Sequence, residues 1–258
     1  MDDEQVARKD DAQVGSGGTA GADDPVARKD EPDGIPQRRF SLPAGATKVL
    51  LVRHGASAHA HPDRPFPLKD GHGDPPLAPE GHEQARLVGA RLAAEHAAGR
   101  TIDALYVTSL TRTHETAAPL AALLGLVPVE VPELREVHLG EWEGGALRLK
   151  AAEGHPLYTE LLARQRWDVI PGAESSEAFG ERLWVGLRRV VASHPDQTVV
   201  AVVHGGVIGQ LLADTVGVQG FTFAGAENTS ISELVVDASG RWWLRRFNDT
   251  AHLDGPLP

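Results

Sequence analysis

Two tracts of this chain end in a histidine followed by glycine, each closing an apolar run. Arg53-His54-Gly55 follows Lys48 to Val52, and His204-Gly205-Gly206 follows Thr198 to Val203. Both runs are rich in β-branched residues and are cut off by glycine, so each reads as a buried strand. Open α/β sheets hold their ligands at the carboxyl ends of such strands. A lone histidine there more often satisfies itself on a backbone carbonyl. Two of them after matching strands, one preceded by arginine, instead make a cationic pocket suited to an anion. Arg112, in the first turn of a predicted helix after a third strand, adds a further cation at the same end of the sheet.

Composition removes several competing chemistries. The 258 residues include no cysteine, which excludes disulfides, zinc thiolate sites and cysteine nucleophiles. The net charge of −11 and the lack of a long basic run argue against nucleic acid as a partner. There is no Gly-x-x-x-x-Gly-Lys phosphate cradle, no Asp-x-Asp-x-Thr and no Gly-x-Ser-x-Gly elbow. His82-Glu83 begins a zincin pattern, but Arg86 stands where its second histidine belongs. No apolar stretch approaches the ~18 residues of a membrane span, and the amino terminus is charged from Asp2 onward. The expectation is a cytoplasmic protein with neither membrane segment nor signal peptide.

The elements that must position these residues follow in order. Residues 1 to 40 are polar, acidic and glycine-rich, with too little apolar surface to offset ordering entropy, and are expected to form a disordered tail. Val-Ala-Arg-Lys-Asp occurs twice in it, at 6 to 10 and 26 to 30, which low complexity explains. The domain is assigned to 41 to 258. Residues 56 to 76 read as a long proline-rich loop beside the pocket, a candidate lid. Its His59, His61, Asp63, His72 and Asp74 leave a metal site open as a weaker reading, since no rigid element would fix them. Helices are expected over 79 to 97, 111 to 124 and 174 to 193, with helical character over 146 to 166 and a helix from Gly206 to Val216. Strands are expected over 103 to 108 and 127 to 131, and a closing β-hairpin over 230 to 236 and 241 to 247. Strands alternating with helices predict a three-layer α/β/α domain with a mostly parallel central sheet.

The chain resembles the histidine phosphatase, or phosphoglycerate mutase-like, superfamily. The resemblance rests on Arg53-His54-Gly55 and, in the same order, on four further segments. These are Leu77-Ala-Pro-Glu-Gly81-His-Glu-Gln84-Ala85, Ser109-Leu-Thr-Arg112-Thr-His-Glu-Thr116-Ala, Leu134-Arg-Glu136-Val-His-Leu-Gly140-Glu-Trp-Glu-Gly144 and Val203-His204-Gly205-Gly206. It implies a phosphoglycerate mutase-like fold, with His54 as the nucleophile that becomes phosphorylated and Glu136 as proton donor. It further implies Arg53, Arg112 and His204, with Gly205, as ligands of the phosphoryl group. Two positions depart from the pattern. Ala60 stands where members often carry Asn, so a polar contact is absent or comes from a neighbour such as His59 or His61. Ala78 replaces the usual Thr, which touches only a local helix cap.

The expected function is therefore a metal-independent phosphomonoesterase that needs no cofactor and acts on a small phosphate ester. A mutase shares the same residues, but the resemblance implies a longer insertion there than the 68 residues from Glu136 to His204. A non-catalytic module holding a phosphorylated ligand, and a metal-dependent phosphoesterase using the loop histidines, are the other readings. Glu133, Glu141 and Glu143 rival Glu136 as proton donor. Substrate specificity is expected to reside in residues 56 to 76 and 146 to 172.

Overall fold

The apolar run Thr47–Arg53 (β1) has no polar alternate face, which means both its faces must be covered. In the computed structural model, which describes Gln37 and residues 40–255, that is how β1 sits. Val49 and Leu51 pack with Phe179, Leu183, Ile208 and Leu211 on one side. Leu50 and Val52 pack with Val88, Leu92, Ala117 and Leu120 on the other. Consecutive residues of one strand thus anchor two helical layers, and the fold is a three-layer α/β/α.

The chain runs through β1, the short strands Leu68–Lys69 (β2) and His72–Gly73 (β3), then Pro79–Ala97 (α1) and Ala104–Val107 (β4). Thr111–Leu124 (α2), Val129–Glu130 (β5), Ala146–Ala152 (α3), Pro156–Arg164 (α4) and Ser176–Ala192 (α5) follow. Thr198–Val203 (β6), Gly205–Val216 (α6), Ile231–Val236 (β7) and Trp242–Asp249 (β8) complete it. The main sheet has the order β5-β4-β6-β1-β7-β8. All neighbours from β5 to β1 pair in parallel. β7 runs antiparallel to both β1 and β8, so it alone opposes the common direction. β1 and β6 lie side by side with Arg53 opposite Val203, which brings His54 and His204 together at one end of the sheet.

Some boundaries differ from expectation, each for a local reason. The 146 to 166 stretch is two helices, because Gly154 takes a positive φ of 66° and Pro156 opens the next helix. β5 is only two residues long; Pro128 lies at its start and Val127 is 82% exposed. Within the expected loop, β2 and β3 form a small hairpin across Asp70 and Gly71, both at positive φ. An Asp-Gly pair is the usual signal for that turn. The expectations for residues 1 to 40 fall almost wholly outside the described residues. Among the described residues no helix is long and apolar enough to cross a membrane.

Candidate active site

The two signature glycines beside β1 are dictated by close approach of backbone. A Cβ on Gly55 would lie 2.5 Å from Gly81 O, and one on Gly81 would lie 2.0 Å from Ala56 O. The strand end and the start of α1 can meet only if both positions lack a side chain. Gly55 N donates to Thr116 Oγ1 at 3.0 Å, and Asn228 Nδ2 donates to His54 O at 2.8 Å. With His54 N donating to Val203 O at 2.9 Å, the backbone at His54 is held from three directions.

The His54 ring is buried, and its Nδ1 lies 2.8 Å from Gly55 O. A carbonyl accepts only, which assigns the proton to Nδ1 and leaves the lone pair on Nε2. That lone pair accepts from Arg112 Nε at 3.2 Å. Arg112 is itself fixed by donation to Gly73 O at 2.9 Å and by Asp74 at 3.9 Å. His204 stands edge-on to His54, with ring centroids 5.2 Å apart. Its Nε2 is 3.0 Å from Thr108 Oγ1, whereas its Nδ1 is buried without a partner. Arg53 donates one terminal nitrogen to Ala226 O, and its Nε is likewise buried without a partner.

Glu136 reaches the same centre from the loop after β5. Its Oε1 accepts from Val137 N and its Oε2 from Gly206 N, both at 3.0 Å, the latter in the first turn of α6. A Cβ on Gly206 would come within 2.3 Å of Glu136 Oε1, so glycine there makes room for the carboxylate. Arg53, His54, Arg112 and Glu136 line one cavity of about 190 Å³. Gly205 lies against the Arg53 side chain and lines an adjoining cleft.

Of the rivals of Glu136, Glu133 and Glu141 do not line this cavity and Glu143 does. Glu133 pairs with Arg189 at 2.6 Å on the surface. Glu143 lines the cavity and, like Glu136, accepts two backbone N–H groups, from Gly73 at 2.6 Å and Leu139 at 2.8 Å. Glu141 is exposed. The loop candidates for a metal are dispersed as well. His72 Nδ1 and Nε2 lie 3.1 Å from Asp70 O and Glu136 O, while Asp74 accepts from Thr111 N and Oγ1. His59, His61 and Asp63 are exposed, and among the described residues no three His, Asp or Glu side chains gather as metal ligands.

Sequence reasoning did not single out Arg148, Asn228 or Thr108. Arg148 enters the cavity from α3, donating to Ser57 Oγ at 2.6 Å and Ala58 O at 2.9 Å, with its guanidinium 5.6 Å from the Phe66 ring centre. His59 and His61 are exposed and do not line the cavity beside Ala60, whereas Arg148 does and is tied to the loop at Ser57 and Ala58. Its only sequence signal was an arginine in a segment already assigned to specificity. At Ala78 the helix start has no side-chain cap, and Pro79 occupies the first turn.

Burial holds the pKa values of His54 and His204 well below the ordinary 6.5, reinforced in each case by Arg112. Below about 6.5 the unfolded chain takes up protons that the folded chain refuses, so stability falls as pH drops, by at most ~1.4 kcal/mol per pH unit per histidine. Thermal melts between about pH 5 and 7.5 should show this slope, and His54→Ala should make it shallower. An unchanged slope would mean that His54 titrates normally.

Two buried histidines, two arginines and a carboxylate thus gather at the carboxyl end of the parallel strands of an α/β protein, a set suited to an anion. The family model described as Histidine phosphatase superfamily (branch 1) matches residues 49–250, and the chain belongs to that family. Phosphoglycerate mutase-like protein 4 of Arabidopsis thaliana is 30% identical over 210 residues, 80% of this chain and 87% of that protein. The uncharacterized phosphatase PhoE of Bacillus subtilis is 29% identical over 214 residues, 81% of this chain and 98% of that one. Among solved structures, mycobacterial glucosyl-3-phosphoglycerate phosphatase superposes with a TM-score of 0.64 at 26% identity, covering 80% of this chain and all (100%) of that one. Bacillus stearothermophilus YhfR superposes with a TM-score of 0.66 at 24% identity over 80% of this chain and 99% of its own, a likeness of fold.

Proposed function

We propose that the protein is a metal-independent phosphomonoesterase that works through phosphohistidine at His54. The observation that carries this is the lone pair on His54 Nε2 beside two buried polar nitrogens, Arg53 Nε and His204 Nδ1, that have no protein partner. Buried polar atoms are normally satisfied, and an anionic oxygen would satisfy both. Thr108 Oγ1 can donate to His204 Nε2, which leaves Nδ1–H free to serve that oxygen. A phosphoryl oxygen also competes for the Arg112 Nε–H, because charge-assisted hydrogen bonds are the stronger kind, and so releases the His54 lone pair.

In the first step Nε2 attacks phosphorus, the bond from phosphorus to the ester oxygen breaks, and Glu136 gives its proton to the departing alkoxide. In the second, water attacks the phosphohistidine, its proton passes to the Glu136 carboxylate, and phosphate leaves as the Nε2 lone pair returns. Catalysis of this kind is mostly alignment and charge neutralisation. A guanidinium at ~4 Å contributes roughly 4 kcal/mol at an effective dielectric near 20. The net charge of −11 does not prevent binding, because charges beyond ~8 Å are largely screened.

Phosphatase is favoured over mutase by the short span from Glu136 to His204, while the relatives carry names of both kinds. Two assays test it. Phosphate-ester hydrolysis should be unchanged after dialysis against a chelator, and a loss restored by a divalent ion would instead favour a metal mechanism. With 3-phosphoglycerate, release of inorganic phosphate should exceed formation of the 2-isomer; the reverse would assign a mutase.

A further inference from the structure

We infer that the alcohol half of the substrate binds in a second cleft beyond Arg53 and Glu136, and that this half is an uncharged ring alcohol. The inference rests on the phosphomonoesterase reading above and adds a substrate class to it. Two cavities share that pair of side chains. One, of about 190 Å³, also holds His54, Arg112 and Arg148. The other, of about 230 Å³, has no charged side chain in its lining apart from the shared Arg53 and Glu136.

The geometry of transfer divides the substrate between them. Phosphorus must lie at His54 Nε2 in the cationic cavity, and the ester oxygen must leave on the opposite side within reach of Glu136. Glu136 is a wall of both cavities, so the carbon attached to that oxygen can emerge into the second one. Gly205 and Gly206 form part of its lining at the first turn of α6, with the Arg53 and Glu136 side chains lying directly against them as the shared wall. Trp167 and Phe221, with ring centres 4.7 Å apart, supply apolar surface suited to the face of a ring. Gln210 gives its Nε2–H to Asp214 Oδ1 at 2.9 Å, which leaves its amide oxygen to accept from a hydroxyl. With Arg53 engaged by the phosphoryl group and Glu136 by the departing oxygen, a further charge placed in this cleft would lose its water without gaining a partner. The volume is below the ~300–1,000 Å³ of sites for drug-sized ligands and suits a single ring.

The test compares benzyl phosphate with 4-carboxybenzyl phosphate on the full chain. The remote carboxylate leaves the basicity of the departing oxygen nearly unchanged, so the two esters differ chiefly in charge. We expect kcat/KM to be about tenfold or more lower for the carboxylated ester, the scale on which one unmatched group discriminates substrates. Filling the cleft with Ala224→Leu should lower kcat/KM for benzyl phosphate about tenfold while methyl phosphate stays within about twofold. Equal or faster turnover of the carboxylated ester would overturn the inference and place the alcohol in the cationic cavity near Arg148. An equal effect of Ala224→Leu on both esters, or none, would overturn it too, and if that variant does not fold the pair of benzyl esters decides alone. Failure to hydrolyse even methyl phosphate would instead overturn the phosphomonoesterase reading.

Discussion

Replacing His54 with alanine should lower turnover of every phosphate ester by at least ~10⁴-fold, because the nucleophile is removed while the phosphate ligands remain. The variant should still fold. The hydrogen bonds that fix this position are made by backbone atoms: His54 N to Val203 O at 2.9 Å, Asn228 Nδ2 to His54 O, and Gly55 N to Thr116 Oγ1. What is lost is the packing of one ring, a destabilisation of the size usual for a buried truncation, offset at acid pH because a buried neutral histidine is gone. Turnover near the native level in a well-folded His54→Ala would end the covalent mechanism. Turnover lost together with the cooperative melt would be a folding defect, and His54→Gln should then separate the two.

The second large effect concerns Glu136. A general acid contributes ~10² to 10⁴ in rate, and only when the leaving group needs a proton. Glu136→Gln should therefore slow the phosphorylation step by that factor for alkyl phosphates, and far less for p-nitrophenyl phosphate, whose phenolate leaves unaided. Both oxygens of Glu136 accept backbone N–H groups, from Val137 and Gly206. A glutamine must turn its NH₂ toward one of those donors and will shift somewhat, so the absolute loss mixes position with proton transfer. The ratio between the two esters, read from single-turnover bursts, cancels the positional part. If both slow equally, Glu136 only positions the phosphate, and Glu143, the other carboxylate in the cavity, becomes the next candidate.

The legible parts of the sequence were those where one physical demand dominates. β1 and β6 are continuous apolar runs because both their faces are buried, and the histidines after them could be placed at one sheet end from the alternation of strands and helices. Arg112 was legible for the same reason, at the start of a helix that follows a strand. The β2–β3 hairpin carried its signal in Asp70-Gly71, but the surrounding prolines made the stretch look like plain loop. Arg148 and Asn228 were not legible in this sense. Each reaches His54 or its loop through tertiary contacts, from a seven-residue helix and from an irregular turn, and neither has a periodicity that says which way a side chain points. The satisfied state of Glu133 and the inward turn of His72 likewise depend on partners about 56 and 64 residues distant in sequence.

The central claim is that phosphate passes through His54 Nε2, and one measurement addresses it directly. A phosphoramidate is lost in acid, so the enzyme should be mixed with excess benzyl phosphate, denatured at alkaline pH during turnover, digested and mapped by mass spectrometry. The account predicts a single phosphorylated peptide, with the phosphate on His54, appearing within the first turnover and absent from His54→Ala. Phosphate on another residue, or steady hydrolysis with no phosphoenzyme at any time sampled, would contradict it.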